Sequence, residues 1–88
     1  MNEQIDFIWS SKKEYNALYP LFIYFSSKNS ISSNLIKIHK NKLLNDVTIS
    51  KISNYVIIAH SHTYYRLIRF GWKGKFIYRI SAPTVTSS

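Results

Sequence analysis

Eighty-eight residues, with twelve Lys/Arg against four Asp/Glu and a formal net charge of +8, make one small domain and exclude a large buried core. The absence of cysteine excludes a disulfide framework and a zinc ribbon. Glu3, Asp6 and Glu14 sit near the start, so from Tyr15 onward ten basic residues face the single acid Asp46, a balance that attracts polyanions and nucleic acid foremost.

At the N-terminus, Met-Asn-Glu-Gln-Ile-Asp carries acids where an organellar transit peptide has Arg and Ser, and no signal-peptide apolar core follows. Ile5, Phe7, Ile8 and Trp9 could open a strand. Ser10-Ser-Lys-Lys-Glu looks like a helix start, with Ser11 as cap and Glu14 three places on. The apolar run Leu18 to Phe25, interrupted by Pro20, is far short of the ~20 residues that cross a bilayer, and reads as a core strand or a short buried helix. The segment 1–29 is left without a fixed structure.

Ser26 to Ser33 and Asn41 to Asp46 read as polar loops. Between and after them apolar residues alternate: Leu35 to Ile38 as a short strand, Val47 and Ile49 on one face of the next, and Tyr55 to Ala59 as a buried strand. Tyr65 and Leu67, then Phe76, Tyr78 and Ile80, continue the period of two on either side of Gly71-Trp-Lys-Gly74. That arrangement predicts a hairpin whose glycines take positive φ. Pro83 ends any pairing, and Thr84 to Ser88 is a polar tail.

Arg66, Arg69, Lys73, Lys75 and Arg79 lie within fourteen residues that also hold Phe70, Trp72, Phe76 and Tyr78. Cations anchor phosphates, aromatic faces stack on unpaired bases, and Gly71 and Gly74 allow close backbone approach, so this stretch is the candidate RNA surface. The plainer reading is a hairpin with an aromatic inner face and a solvated cationic outer face. His60-Ser-His62 with His39 could hold a metal, but with no Cys and no nearby acid a surface role is preferred, and no metal or cofactor is assigned. The serines have no paired base and the acids form no catalytic pair, so no enzyme is assigned.

Gly71, Gly74, Lys75, Tyr78, Pro83, Thr84 and Val85 fall at the spacing of a G-K-A-G-R, aromatic, P-T-V segment. Upstream, Val47-Thr-Ile-Ser-Lys-Ile-Ser-Asn54 is similar to A-T-I-G-Q-V-S-N, and Leu35-Ile-Lys-Ile-His-Lys-Asn41 to R-L-I-H-K-N. In these three islands the chain resembles the second domain of bacterial-type ribosomal protein two of the large subunit. It departs from that family at Trp72, Ile80 and Thr86-Ser87, where the family has Lys, Gly and Arg-Gly.

The resemblance implies a mainly β fold, a small SH3-like barrel over residues 30–88 with an extended basic C-terminal segment. It also implies a structural role in the large ribosomal subunit, with rRNA and neighbouring ribosomal proteins as partners, among them the missing parts of a split family protein. The RNA-binding set it implies is Arg66, Arg69, Gly71, Trp72, Lys73, Gly74, Lys75, Tyr78, Arg79, Pro83 and Thr84. The Ile/Asn/Lys-rich composition points to an AT-rich coding sequence and, with the resemblance, to a mitochondrial ribosome. The rival expectation is a winged-helix DNA-binding regulator of α+β class, with helices at Ser11 to Phe25 and Thr48 to His60 and a wing at Tyr64 to Ile80. Ile49, Ile52, Val56 and Ala59 fit its helical spacing, whereas the β-branched content of residues 47–58 opposes it. No membrane partner is expected.

Overall fold

The computed structural model describes residues 3–39 and 46–80. Seven elements follow in order: β1 (Glu3–Trp9), α1 (Lys12–Ser26), β2 (Ile31–Lys37), α2 (Asp46–Lys51), β3 (Tyr55–Ile58), α3 (Ser61–Arg69) and β4 (Phe76–Arg79). The four strands form one sheet in the order β2-β1-β3-β4, every pair parallel. From β1 the chain steps outward to β2, then crosses back over β1 to β3, so the direction of winding reverses between β1 and β3. Right-handed crossovers then put α1 on one face and α2 with α3 on the other.

Two apolar clusters confirm that division. On the α1 side Phe7, Leu18 and Ile57 are buried, flanked by Ile5, Trp9, Leu21, Phe22, Phe25 and Leu35. On the other side Ile8, Ile38, Ile52, Val56, Ile58, Leu67 and Trp72 are buried together. Burial on both faces is why β1 and β3 carry the continuous runs Phe-Ile-Trp and Val-Ile-Ile rather than strict alternation.

This α/β fold corrects both expectations, the SH3-like barrel and the winged helix. Residues 3–26, left open above, supply the central strand and the longest helix. Pro20 lies inside α1 with its ring exposed, where the missing N–H costs about 3 kcal/mol, offset by Leu18, Phe22 and Phe25 packing on the sheet. Ile31 to Ser33, read as loop, belong to β2.

Val47 to Ile49, read as strand, lie in α2, and the three-residue step from Ile49 to Ile52 brings both onto one cluster. Tyr65 and Leu67, read as strand, lie in α3, whose buried residues are Thr63 and Leu67, while Tyr65 points to solvent. No hairpin forms, because β4 pairs parallel with β3. In the winged-helix scheme α1 matches the first helix, but residues 55–58 of its recognition helix are strand and 64–69 of its wing are helix. Most of the Asn41–Asp46 loop, and the whole 81–88 tail, lie outside the described residues.

β1, β2 and the entry to β3 are joined through Asp6, which is fully buried. Its carboxylate accepts from Gln4 Nε2 (2.8 Å), Asn34 Nδ2 on β2 (3.1 Å) and the Ser53 N–H ahead of β3 (2.8 Å). Ser53 in turn donates its hydroxyl to the Gln4 carbonyl and accepts from the Tyr55 N–H (3.1 Å), and its own carbonyl accepts from Trp72 Nε1 (3.0 Å). Asp6→Ala removes the acceptor that these donors share and is expected to cost about 1–3 kcal/mol, a sizeable part of the roughly 5–10 kcal/mol such a domain has. Urea denaturation measures it, with exposed Glu3→Ala as a control expected to shift stability by less than about 0.5 kcal/mol.

Candidate functional site

The loops at the carboxyl ends of β1 and β3 flank the point where the winding reverses, and each leads directly into a helix. Ser11 caps α1: its hydroxyl accepts from the Glu14 N–H (3.3 Å), as an N-cap does, and itself donates to Glu14 Oε2 (2.8 Å), where the usual reciprocal donor is the cap's backbone N–H. Ser10 Oγ also donates to Glu14 Oε2 (2.9 Å), and Thr63 Oγ1, from the first turn of α3, donates to Oε1. Arg66, one turn further along α3, donates to Ser10 Oγ (2.8 Å). One carboxylate thus links the starts of two helices that lie on opposite faces of the sheet.

Burial pushes the Glu14 carboxyl up. The hydroxyls of Thr63, Ser11 and Ser10 and the Ser10 backbone outweigh that, so it is held below the ordinary 4.5. The two helix N-termini add positive potential in the same direction.

α3 starts without a serine or aspartate cap. His60 takes that place, its Nδ1 accepting from the His62 N–H (3.1 Å), which assigns the His60 proton to Nε2. The His60 and His62 rings lie 4.4 Å apart, and His39 follows the end of β2 two residues on, so all three histidines collect at this edge. Among the described residues no group of three His, Cys, Asp or Glu could hold a metal ion. Lys12 and Lys13, exposed on the first turn of α1, add positive charge to this rim.

The residues expected to form one RNA surface are dispersed. Arg66 reaches the carboxyl-edge crevice, whereas Arg69 stands in the last turn of α3. Gly71, at φ 96°, ends that helix: its N–H and that of Trp72 bond to the carbonyls of Ile68 (3.0 Å) and Leu67 (2.9 Å), a Schellman arrangement needing glycine there. Trp72 is 6% exposed and belongs to the core. Gly74 lies against its ring, where a Cβ would come within 1.9 Å, so this glycine serves packing rather than approach to RNA.

Lys73 and Lys75 are exposed at the amino edge, and with Lys51 and Arg69 they stand where helix C-termini present carbonyls, which cations complement. Tyr78 and Arg79 point to opposite faces of β4. Pro83 and Thr84 lie outside the described residues. A hollow of about 510 Å³ between α2 and the Phe70–Gly74 loop also sits at the amino edge, away from both helix N-termini that make the crevice electropositive.

The capping pattern Ser11 to Glu14 made half of the crevice visible in the sequence. Of its other half, Arg66 was named only as part of an RNA surface and Thr63 not at all, because α3 was read at the period of a strand. Compared with known protein families, curated proteins and solved structures, the chain matches none.

Because the folded Glu14 value lies below its unfolded one, its contribution is complete above about pH 4.5 and is lost as the pH falls through the lowered folded value. Glu14→Gln is therefore expected to remove this part of the acid-induced loss of stability. At neutral pH it should cost about 1–3 kcal/mol by weakening the hydroxyl contacts. Thermal melts from pH 7 to pH 3 test both effects together.

Proposed function

We propose that this domain binds a small phosphate-bearing anion at the carboxyl edge of its sheet, with Arg66 as the principal contact and Lys12 and Lys13 at the rim. One observation carries the reading: Arg66 bonds Ser10 at 2.8 Å, which brings its guanidinium to the meeting point of the α1 and α3 N-termini. In open parallel sheets ligands bind outside the carboxyl ends of the strands, where the winding reverses. Among the described residues Arg66 makes one side-chain hydrogen bond, to Ser10, which leaves other guanidinium donors to meet an anion.

The chemistry of the turn narrows the ligand. Trp9-Ser10-Ser11-Lys12 has no glycine, so a pyrophosphate cannot settle onto the backbone as it does in a glycine-rich turn. Glu14 already occupies the innermost place between the two helices. A phosphate monoester held from outside by side-chain charge fits that geometry. The reading assigns binding and no catalytic step.

Net charge favours a second reading, RNA as partner, in its narrower form as a structural constituent of the mitochondrial large ribosomal subunit bound to rRNA and neighbouring ribosomal proteins. It is supported by the excess of cations and by the sequence resemblance, though not by the barrel that the resemblance implies.

Calorimetry with inorganic phosphate and a nucleoside monophosphate tests the first reading. Arg66→Ala is expected to weaken binding about 10- to 100-fold, the worth of one charge-assisted contact, and an unchanged affinity sinks the site. Sedimentation with large ribosomal subunits after a high-salt wash tests the second, and a chain that stays at the top of the gradient removes it.

A further inference from the structure

The α1 face of the sheet is only half covered. α1 lies over β2 and β1, while on the β3–β4 side Tyr55, Phe76 and Tyr78 are 40%, 63% and 65% exposed. These three share one face, since Tyr55 pairs with Phe76 and Ile57 with Tyr78 in parallel register. Tyr55 and Phe76 stack flat, 5.5 Å apart at 8°. Parallel sheets are ordinarily covered on both faces, so a bare aromatic strip is a surface waiting for polypeptide.

α1 has the converse property. A helix lying on a domain surface normally turns polar residues outward, yet Tyr19, Pro20, Ile23 and Tyr24 are all exposed on this one. One face of the molecule therefore presents, side by side, a strip of sheet without a helix and a helix whose outer side is apolar.

We propose that a second copy of this chain covers the strip. A two-fold axis along the strand direction, between the two α1 helices, lays the α1 of each copy over Tyr55, Phe76 and Tyr78 of the other. The result is two sheets with a pair of helices between them. The contact is isologous and closes at two copies. At full areas on the order of 200 Å² each, the six large side chains Tyr19, Ile23, Tyr24, Tyr55, Phe76 and Tyr78 offer roughly 600–700 Å², near the ~800 Å² per partner of a standard interface. Residues 81–88 offer only Ala82, Pro83 and Val85 as apolar cover. At +8 per copy, charge opposes this association, so salt strengthens it, the reverse of its effect on nucleic-acid binding.

Sedimentation equilibrium of the 88-residue chain is expected to show a dimer with a dissociation constant on the order of 10 µM that falls as salt is raised. Replacing Phe76 and Tyr78 together by Lys, at exposed positions, should raise that constant about tenfold or more while circular dichroism stays unchanged. The chain has no cysteine, so Ile23→Cys and Phe76→Cys chains can be mixed and oxidised. The disulfide is expected to form faster between unlike than between like variants. A monomer at all salt concentrations up to about 100 µM, a dimer indifferent to the double Lys variant, or cross-linking no faster between unlike chains overturns the proposal.

Discussion

Asp6 is buried, and the three donors that reach it among the described residues come from three different stretches of chain. Gln4 lies on its own strand, Asn34 on β2, and Ser53 in the turn that delivers β3. Because an unpaired buried carboxylate is costly, these stretches hold their places together or not at all. Ser53 extends the constraint to Trp72, and through Trp72 to Gly74 and the entry into β4. The register of the whole sheet is thereby set at its amino edge.

With the amino edge committed to structure, the carboxyl edge is free to differ. There β1 and β3 release their chain into the starts of α1 and α3, where the hydroxyls of Ser10, Ser11 and Thr63 and the Arg66 guanidinium gather at the Glu14 carboxylate, with the imidazole of His60 close by. Most of the cations that looked like a nucleic-acid surface in the sequence lie at the other edge, opposite helix C-termini. Arg79, which ends β4 near Ser61, and Arg66 are the exceptions, and a position in mid-helix is what carries Arg66 toward the crevice.

The sequence disclosed those parts whose signal is local. The Ser11–Glu14 cap and the buried strand at Tyr55 could be read because capping and β-branched burial need no knowledge of distant residues. α2 and α3 could not: Val47, Ile49, Tyr65 and Leu67 satisfy a period of two as well as a helix, and the choice is made by Leu67 and Ile52 meeting Val56 and Ile58 in the core. The α3 start gave no warning either, since His60 caps with an imidazole in place of the usual hydroxyl or carboxylate. Gly71 and Gly74 both read as positive-φ positions of a hairpin open to RNA, but of the two Gly71 takes a positive φ, at a helix end, and the close approach at Gly74 is to an indole. Parallel pairing is the least legible property of all, since nothing within β4 distinguishes a parallel partner from an antiparallel one.

The place of β1 at the centre of the sheet bears on how the chain is made. Ile5 pairs with Ser33 on one side and Tyr55 on the other, the second contact spanning fifty residues. At roughly 5–20 residues per second, the ribosome exposes Phe7, Ile8 and Trp9 several seconds before that partner exists. In the interval α1 and β2 can shelter one face and one edge of β1. The other edge stays open to any passing strand, which makes the rate of synthesis between residues 30 and 60 a determinant of how much of this protein is recovered folded.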